Sequence, residues 1–204
     1  MLSKNLFISS YCHVKNNTIS FNGNVLFSDD SQDFSGFVKS AAKHLNTSYP
    51  KLYKMDNLSK LASLAADAIL SEQKAQSDTA LVFSNRASSL DTDRKHQASI
   101  SDTNNYYPSP SIFVYTLPNI CLGEISIKHQ LHSENCFFVF DKFNPEHLHG
   151  NTEYLLHHKK AETVLCGWVD FDDKNYEAFL YLVSENGNIA HTVDEISRRY
   201  RSKL

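Results

Sequence analysis

Residues 118–142 run PNICLGEISIKHQLHSENCFFVFDK. A proline turn opens the run, then a short helix or ordered loop carrying Gly123, a polar bend at His132–Asn135, and an apolar strand, Cys136–Phe140. That strand empties into a helix opening at Asn144-Pro145, with asparagine as cap and proline in the first turn. Such junctions are where α/β proteins place nucleophiles and anion sites, because unpaired N–H groups point outward there. Here the junction offers Asp141 and Lys142, and neither Cys nor Ser lies between Phe140 and Asn144. The frame suits an active site; its usual nucleophile is missing.

Outward from this run, apolar segments alternate with helical patterns. Leu6–Ser9 with Tyr11–Val14 reads as a first strand, and Asn22-Gly23-Asn24 as the turn of a hairpin between Thr18–Phe21 and Val25–Phe27. Phe34–Leu45 carries a helical stripe. The strongest helix is Asn57–Gln73, capped by Asp56, with apolar residues on so wide a face that it must be covered on most sides. Thr79–Phe83, Thr163–Val169 and Ala178–Val183 read as buried strands, Pro145–Lys159 and Val193–Tyr200 as helices, and Asn186-Gly187 as a turn. Ser84–Tyr107 is polar without clear period and reads as a long loop with some helical turns, and Ile112–Tyr115 as extended. The alternation predicts an α/β layered fold around a largely buried sheet, with Cys136–Val169 as a strand–helix–strand crossover.

At 204 residues and 23.2 kDa, the chain has the size of one domain, 1–204. Its net charge of −3 supplies no field to gather nucleic acid or anionic lipid. No apolar run is long enough to span a bilayer, and MLSKNLFISS lacks the apolar core of a signal peptide, so the expected location is cytoplasmic. Only 6 glycines are present, with neither GxGxxG nor a P-loop, so no nucleotide cofactor is expected. Cys12, Cys121, Cys136 and Cys166 lie far apart and read as buried free thiols.

No chemical constellation assembles from spacing alone. His147 and His149 point about 200° apart on a helix, and these, His157/His158 and His129/His132 are read as surface or helix-end histidines, not metal ligands. Asp56 is explained by capping without acid–base chemistry, and Trp168 by packing in the core or at an interface. Lys142 could be an activated amine; the plainer expectation is a structural lysine held by Asp141 or another acid at a narrow pocket.

Several segments together resemble β-ketoacyl-acyl-carrier-protein synthases. Pro118-Asn119, Gly123, ISIK at 125–128 and Asn135 resemble the segment before the family's active-site cysteine. KMDNLSKLASLAADAIL at 54–70, ALVFSNRASSLDT at 80–92 and AETVLCGWVD at 161–170 resemble, in order, the family's upstream helix, its strand with a glycine-rich loop, and its downstream strand with a double glycine. The resemblance covers about residues 50–170. By it the nucleophile position falls on Lys142 within Asp141-Lys142-Phe143, the glycine-rich loop reads Ser84-Asn85-Arg86-Ala87-Ser88-Ser89, and the double glycine reads Gly167-Trp168.

The resemblance implies a thiolase-like αβα layered fold, N-terminal half only, with a mixed sheet. The family's two catalytic histidines come from a second half for which this chain has no room. Lysine offers no thiolate to accept an acyl chain, and an amide formed on it would be a dead end. No catalytic residue, cofactor or metal is therefore expected. The implied function is that of a non-catalytic partner in type II fatty-acid or polyketide-like synthesis. Chain-length-factor subunits, full-length and lacking the cysteine, are the precedent. The implied partner is a second copy or a full-length ketosynthase, with acyl carrier protein as a further possibility, and Cys136–Phe140 at the contact. Two rival readings are a scaffolding or binding module outside acyl chemistry, and an atypical acyl-thioester enzyme using Lys142.

Overall fold

The computed structural model describes residues 5–30, 33–71, 77–104 and 106–202. Its elements, in chain order, begin with β1 (Phe7–Lys15), β2 (Thr18–Phe21), β3 (Asn24–Ser28), α1 (Phe34–His44), a 3₁₀ turn (Pro50–Lys54), α2 (Asn57–Leu70) and β4 (Thr79–Asn85). There follow α3 (Leu90–Ile100), α4 (Pro110–Val114), α5 (Ile120–His129), β5 (Asn135–Val139), α6 (Pro145–His157), β6 (Thr163–Asp172), β7 (Asn175–Ser184), β8 (Ile189–Ala190) and α7 (Val193–Arg201). The strands form one mixed sheet in the order β3-β2-β1-β7-β6-β4-β5, with β8 beside β1. Pairing is antiparallel from β3 to β6 and parallel among β6, β4 and β5.

Each face of the sheet has its own core. Leu81 and Phe83 of β4, Leu165 of β6 and Leu180 of β7 meet α1, α2 and α5 on one face. Ala80, Val82, Val164, Cys166 and Tyr181 meet α6 and α7 on the other. This period-2 partition makes these strands apolar throughout. In β1 a register shift between Ile8 and Ser10 resets the alternation. Ile8 thereby joins the face of α6 while Cys12 and Val14 join that of α2.

Local signals worked as read at several points. Asp56 accepts from Ser59 N (2.9 Å), and Asn144 from His147 N (3.0 Å). Asn22 (φ 51°) and Gly23 (φ 84°) form the hairpin turn, both in the conformation that suits twisted strands. Leu58, Leu61, Ala62, Leu64, Ala65, Ala66, Ile69 and Leu70 are all buried on α2, as its wide apolar face required. Gln73, its expected end, lies outside the described residues.

Two expectations need correction. Ser84–Tyr107 is not chiefly loop, since it contains the three-turn α3. Ile112–Tyr115 is not extended: Pro110 takes the first position of the short helix α4. The two long helices, α2 and α6, do not share a face. They lie on opposite faces of the sheet, and a Cβ at Gly150 would meet nothing within 4 Å. The crossover from β5 through α6 to β6 is present, but it steps over β4, which lies between the two strands.

Candidate active-site junction

Because β4, β5 and β6 run parallel, their carboxyl ends share one rim, the usual place for a site in such sheets. Two segments build it, the loop after β4 and the turn between β5 and α6. In the loop, Asn85 Oδ1 accepts from Ser88 N (2.9 Å) while its Nδ2 donates to Ser88 O (2.8 Å), so one side chain closes the turn and holds Ser88 at φ 52°. The consecutive N–H groups of Arg86 and Ala87 both donate to Asp170 Oδ1, at 3.0 and 2.9 Å. Paired backbone donors of this kind would otherwise receive an anion; here a β6 carboxylate occupies them. Arg86 adds ion-pair contacts to Asp170 (3.7 Å) and Asp172 (3.6 Å), and Arg94 of α3 also pairs with Asp172.

The turn between β5 and α6 is anchored at both ends. Phe140 N donates to Asn85 O (2.9 Å), and Asn144 caps α6. Between them Phe143 dives among aromatic rings, edge-on to Trp168 (6.2 Å) and Phe179 (5.8 Å) and 4.2 Å from the Tyr200 ring. Trp168 is buried, as packing required. The space beneath the turn is therefore filled by rings.

Lys142 sits on this turn, where the sequence placed the nucleophile position. The expected acid partner and narrow pocket do not materialise: Asp141 and Lys142 are both exposed, and no ion pair to Lys142 forms among the described residues. A lysine is activated by burial or by a neighbouring cation, and this surroundings supplies no burial. The four thiols are free; Cys12, Cys121 and Cys166 are buried and Cys136 is half-buried. Burial pushes the Cys166 thiol up to about 11, so it is a protonated packing group and not a displaced nucleophile.

At the level of sequence, no family model and no curated protein matches the chain. Solved structures do match. One, described as the ishigamide ketosynthase/chain length factor, superposes with a TM-score of 0.65 at 16% identity, covering 88% of this chain and 62% of its own. A ketosynthase (ApeO) in complex with its chain length factor (ApeC) from Xenorhabdus doucetiae gives 0.59 at 17% identity, over 90% and 80%. A β-ketoacyl synthase from Burkholderia phymatum STM815 gives 0.57 at 12% identity, over 98% and 62%. The fold is thiolase-like. It comprises one helix–sheet–helix set of layers, and the chain spans 62% of the first of these structures.

Within this thiolase-like layer, β5 is an edge strand that, among the described residues, pairs only with β4. Phe137 and Phe138 do go to opposite faces, each half-buried against its own core, while Val139 is 54% exposed. Large exposed apolar side chains gather along the chain that leads into this edge: Phe113, Val114, Leu117 and Ile127.

Elsewhere, Lys128, His129 and Thr47 gather in a half-buried polar cluster around the buried Asp67 of α2. Glu124 lies buried against Tyr115 Oη (2.9 Å) and Lys51 Nζ (2.8 Å). Neither was visible beforehand, since each joins residues far apart in the chain. The histidines also gain a partner that spacing did not show. His147 and His149 diverge as expected, but His149 has Glu153 one turn further on, and the fold brings His191 to both.

Proposed function

We propose that this chain acts as a ketosynthase-like partner without condensing activity of its own, which associates with a full-length ketosynthase in fatty-acid or polyketide-like synthesis. The observation that carries the proposal is the thiolase-like strand–turn–helix junction with exposed Lys142 where the resembled synthases have their cysteine. Two of the similar structures are described as ketosynthases with chain length factors, which supports a pairing role. The open edge of β5, with Val139 exposed on it, supplies a contact surface, since an unpaired apolar edge demands cover. No acyl pocket is assigned under the turn, because the rings of Phe143, Trp168 and Tyr200 fill space there. That same filling favours one rival, a scaffold unconnected to acyl chemistry.

The isolated protein should give no turnover above blank with acyl- and malonyl-carrier-protein thioesters. Lys142→Cys should not restore it, because a thiol alone supplies neither the second-half histidines nor space for the chain. Measurable condensation by the purified protein would defeat the proposal. Affinity capture from the native cell should recover a full-length ketosynthase in stoichiometric amount; recovery of other partners without one would favour the scaffold.

A further inference from the structure

Three donor groups converge at the flank of α6, away from the junction. His149 and Glu153 lie one helical turn apart, Nε2 3.6 Å from Oε1. His191, between β8 and α7, stacks on His149 with ring centroids 4.6 Å apart and planes inclined by 18°. One donor atom from each residue lies within 4.8 Å of the other two. His191 is only 4% exposed, yet among the described residues neither of its ring nitrogens has a hydrogen-bond partner. A buried imidazole with both nitrogens unbonded is rare enough to require a cause.

We propose that His149, Glu153 and His191 form a binding site for a divalent transition-metal ion, with zinc the ion best matched to the set. Two imidazoles and a carboxylate are a zinc donor mix, whereas calcium and magnesium prefer oxygen throughout and cuprous ion prefers sulfur. Bonds of about 2.0–2.2 Å in a tetrahedron set ligand atoms about 3.4 Å apart, so the His149–Glu153 separation needs little adjustment. A histidine ligates through an unprotonated ring nitrogen, and among the described residues nothing competes for either nitrogen of His191. One contact is exchanged on binding, that of His149 Nε2 with His191 O at 3.1 Å. Three protein ligands leave a fourth position for water on the side where the Glu153 side chain is 41% exposed. Bound there, the ion ties the segment preceding α7 to α6.

The test uses the untagged full chain and zinc itself. Competition against a chromophoric chelator should show one zinc per chain with a Kd of about 10 µM or tighter, and saturating zinc should raise the melting temperature. Cobalt in its place should give the visible absorption of a tetrahedral N/O site. Glu153→Gln and His191→Ala should each weaken zinc binding by about tenfold or more, and His158→Ala should leave it unchanged. If His191→Ala fails to fold, Glu153→Gln decides, because its side chain lies at the surface. Zinc binding weaker than about 100 µM, or binding indifferent to Glu153→Gln, overturns the proposal.

Discussion

Gly167→Ala should destabilise the protein by about 4 kcal/mol or more, at the extreme of single-residue effects. Gly167 lies in mid-β6 at φ 153°, and a Cβ there would stand 2.0 Å from Phe179 O and 3.0 Å from Leu180 Cα. Those atoms are backbone of the central partner strand, so no side chain can turn aside to make room. β6 itself is held between β4 and β7 and cannot retreat. Gly150→Ala is the internal control, since a Cβ there meets nothing within 4 Å. In α6 that change should stabilise by up to about 1 kcal/mol through helix propensity. Urea unfolding of both variants checks the pair. A Gly167→Ala protein within about 1 kcal/mol of the parent would mean the strands separate far more easily than described.

Asp67→Ala should cost about 3–5 kcal/mol, because it leaves the largely covered Lys128 ammonium without its carboxylate. Asp67 is 1% exposed and accepts from Thr47 Oγ1 (2.7 Å), His129 Nε2 (2.9 Å) and Lys128 Nζ. Burial alone would raise its pKa, but the His129 hydrogen bond, the Lys128 charge and the remaining bonds outweigh burial and hold it below the ordinary carboxylate value. A folded-state pKa below the unfolded one means that the unfolded chain takes up the proton first. The stabilisation is therefore whole above about pH 4 and disappears as pH falls through the folded value. Unfolding midpoints measured from neutral pH to pH 2 should show this loss in the parent and a flatter profile in Asp67→Ala. Pairing Asp67→Leu with Lys128→Met should recover part of the loss, since removing both charges leaves neither unpaired.

What could be read beforehand depended on whether the deciding interaction was local. The Asp56 and Asn144 caps, the Asn22-Gly23 turn and the all-round apolar α2 are written within a few residues each. Helix α3 is not: only Thr92 is buried on it, so it shows no apolar stripe. Distant polar contacts seat it instead, Thr92 Oγ1 to Asp56 Oδ2 (2.9 Å), Asn57 Nδ2 to Asp91 Oδ2 (3.2 Å) and Arg94 to Asp172. The junction around Lys142 was found in place because strand, turn and cap are contiguous. That Lys142 gains no ion pair among the described residues was not legible, since which acid approaches a lysine depends on tertiary placement. Likewise His191 reaches His149 only because β8 pairs with β1 and delivers the following segment to α6. A carboxylate at i, i+4 beside His149 was legible, and it is the part of that group the spacing argument should have counted.

The position of β1 shapes the order in which this molecule can assemble on the ribosome. β1 emerges early, and β2 and β3 can fold back against its outer side at once. Its inner side must wait for β7; the Ser9–Leu182 hydrogen bond spans 173 residues. At synthesis rates of about 5–20 residues per second, that wait lasts about 10–35 s. Through it the nascent chain presents a strand apolar on both faces, Ile8 and Tyr11 on one and Cys12 and Val14 on the other, with one edge unpaired. Closing so distant a pair comes late and slowly, so that edge stays open to mispairing until β7 arrives.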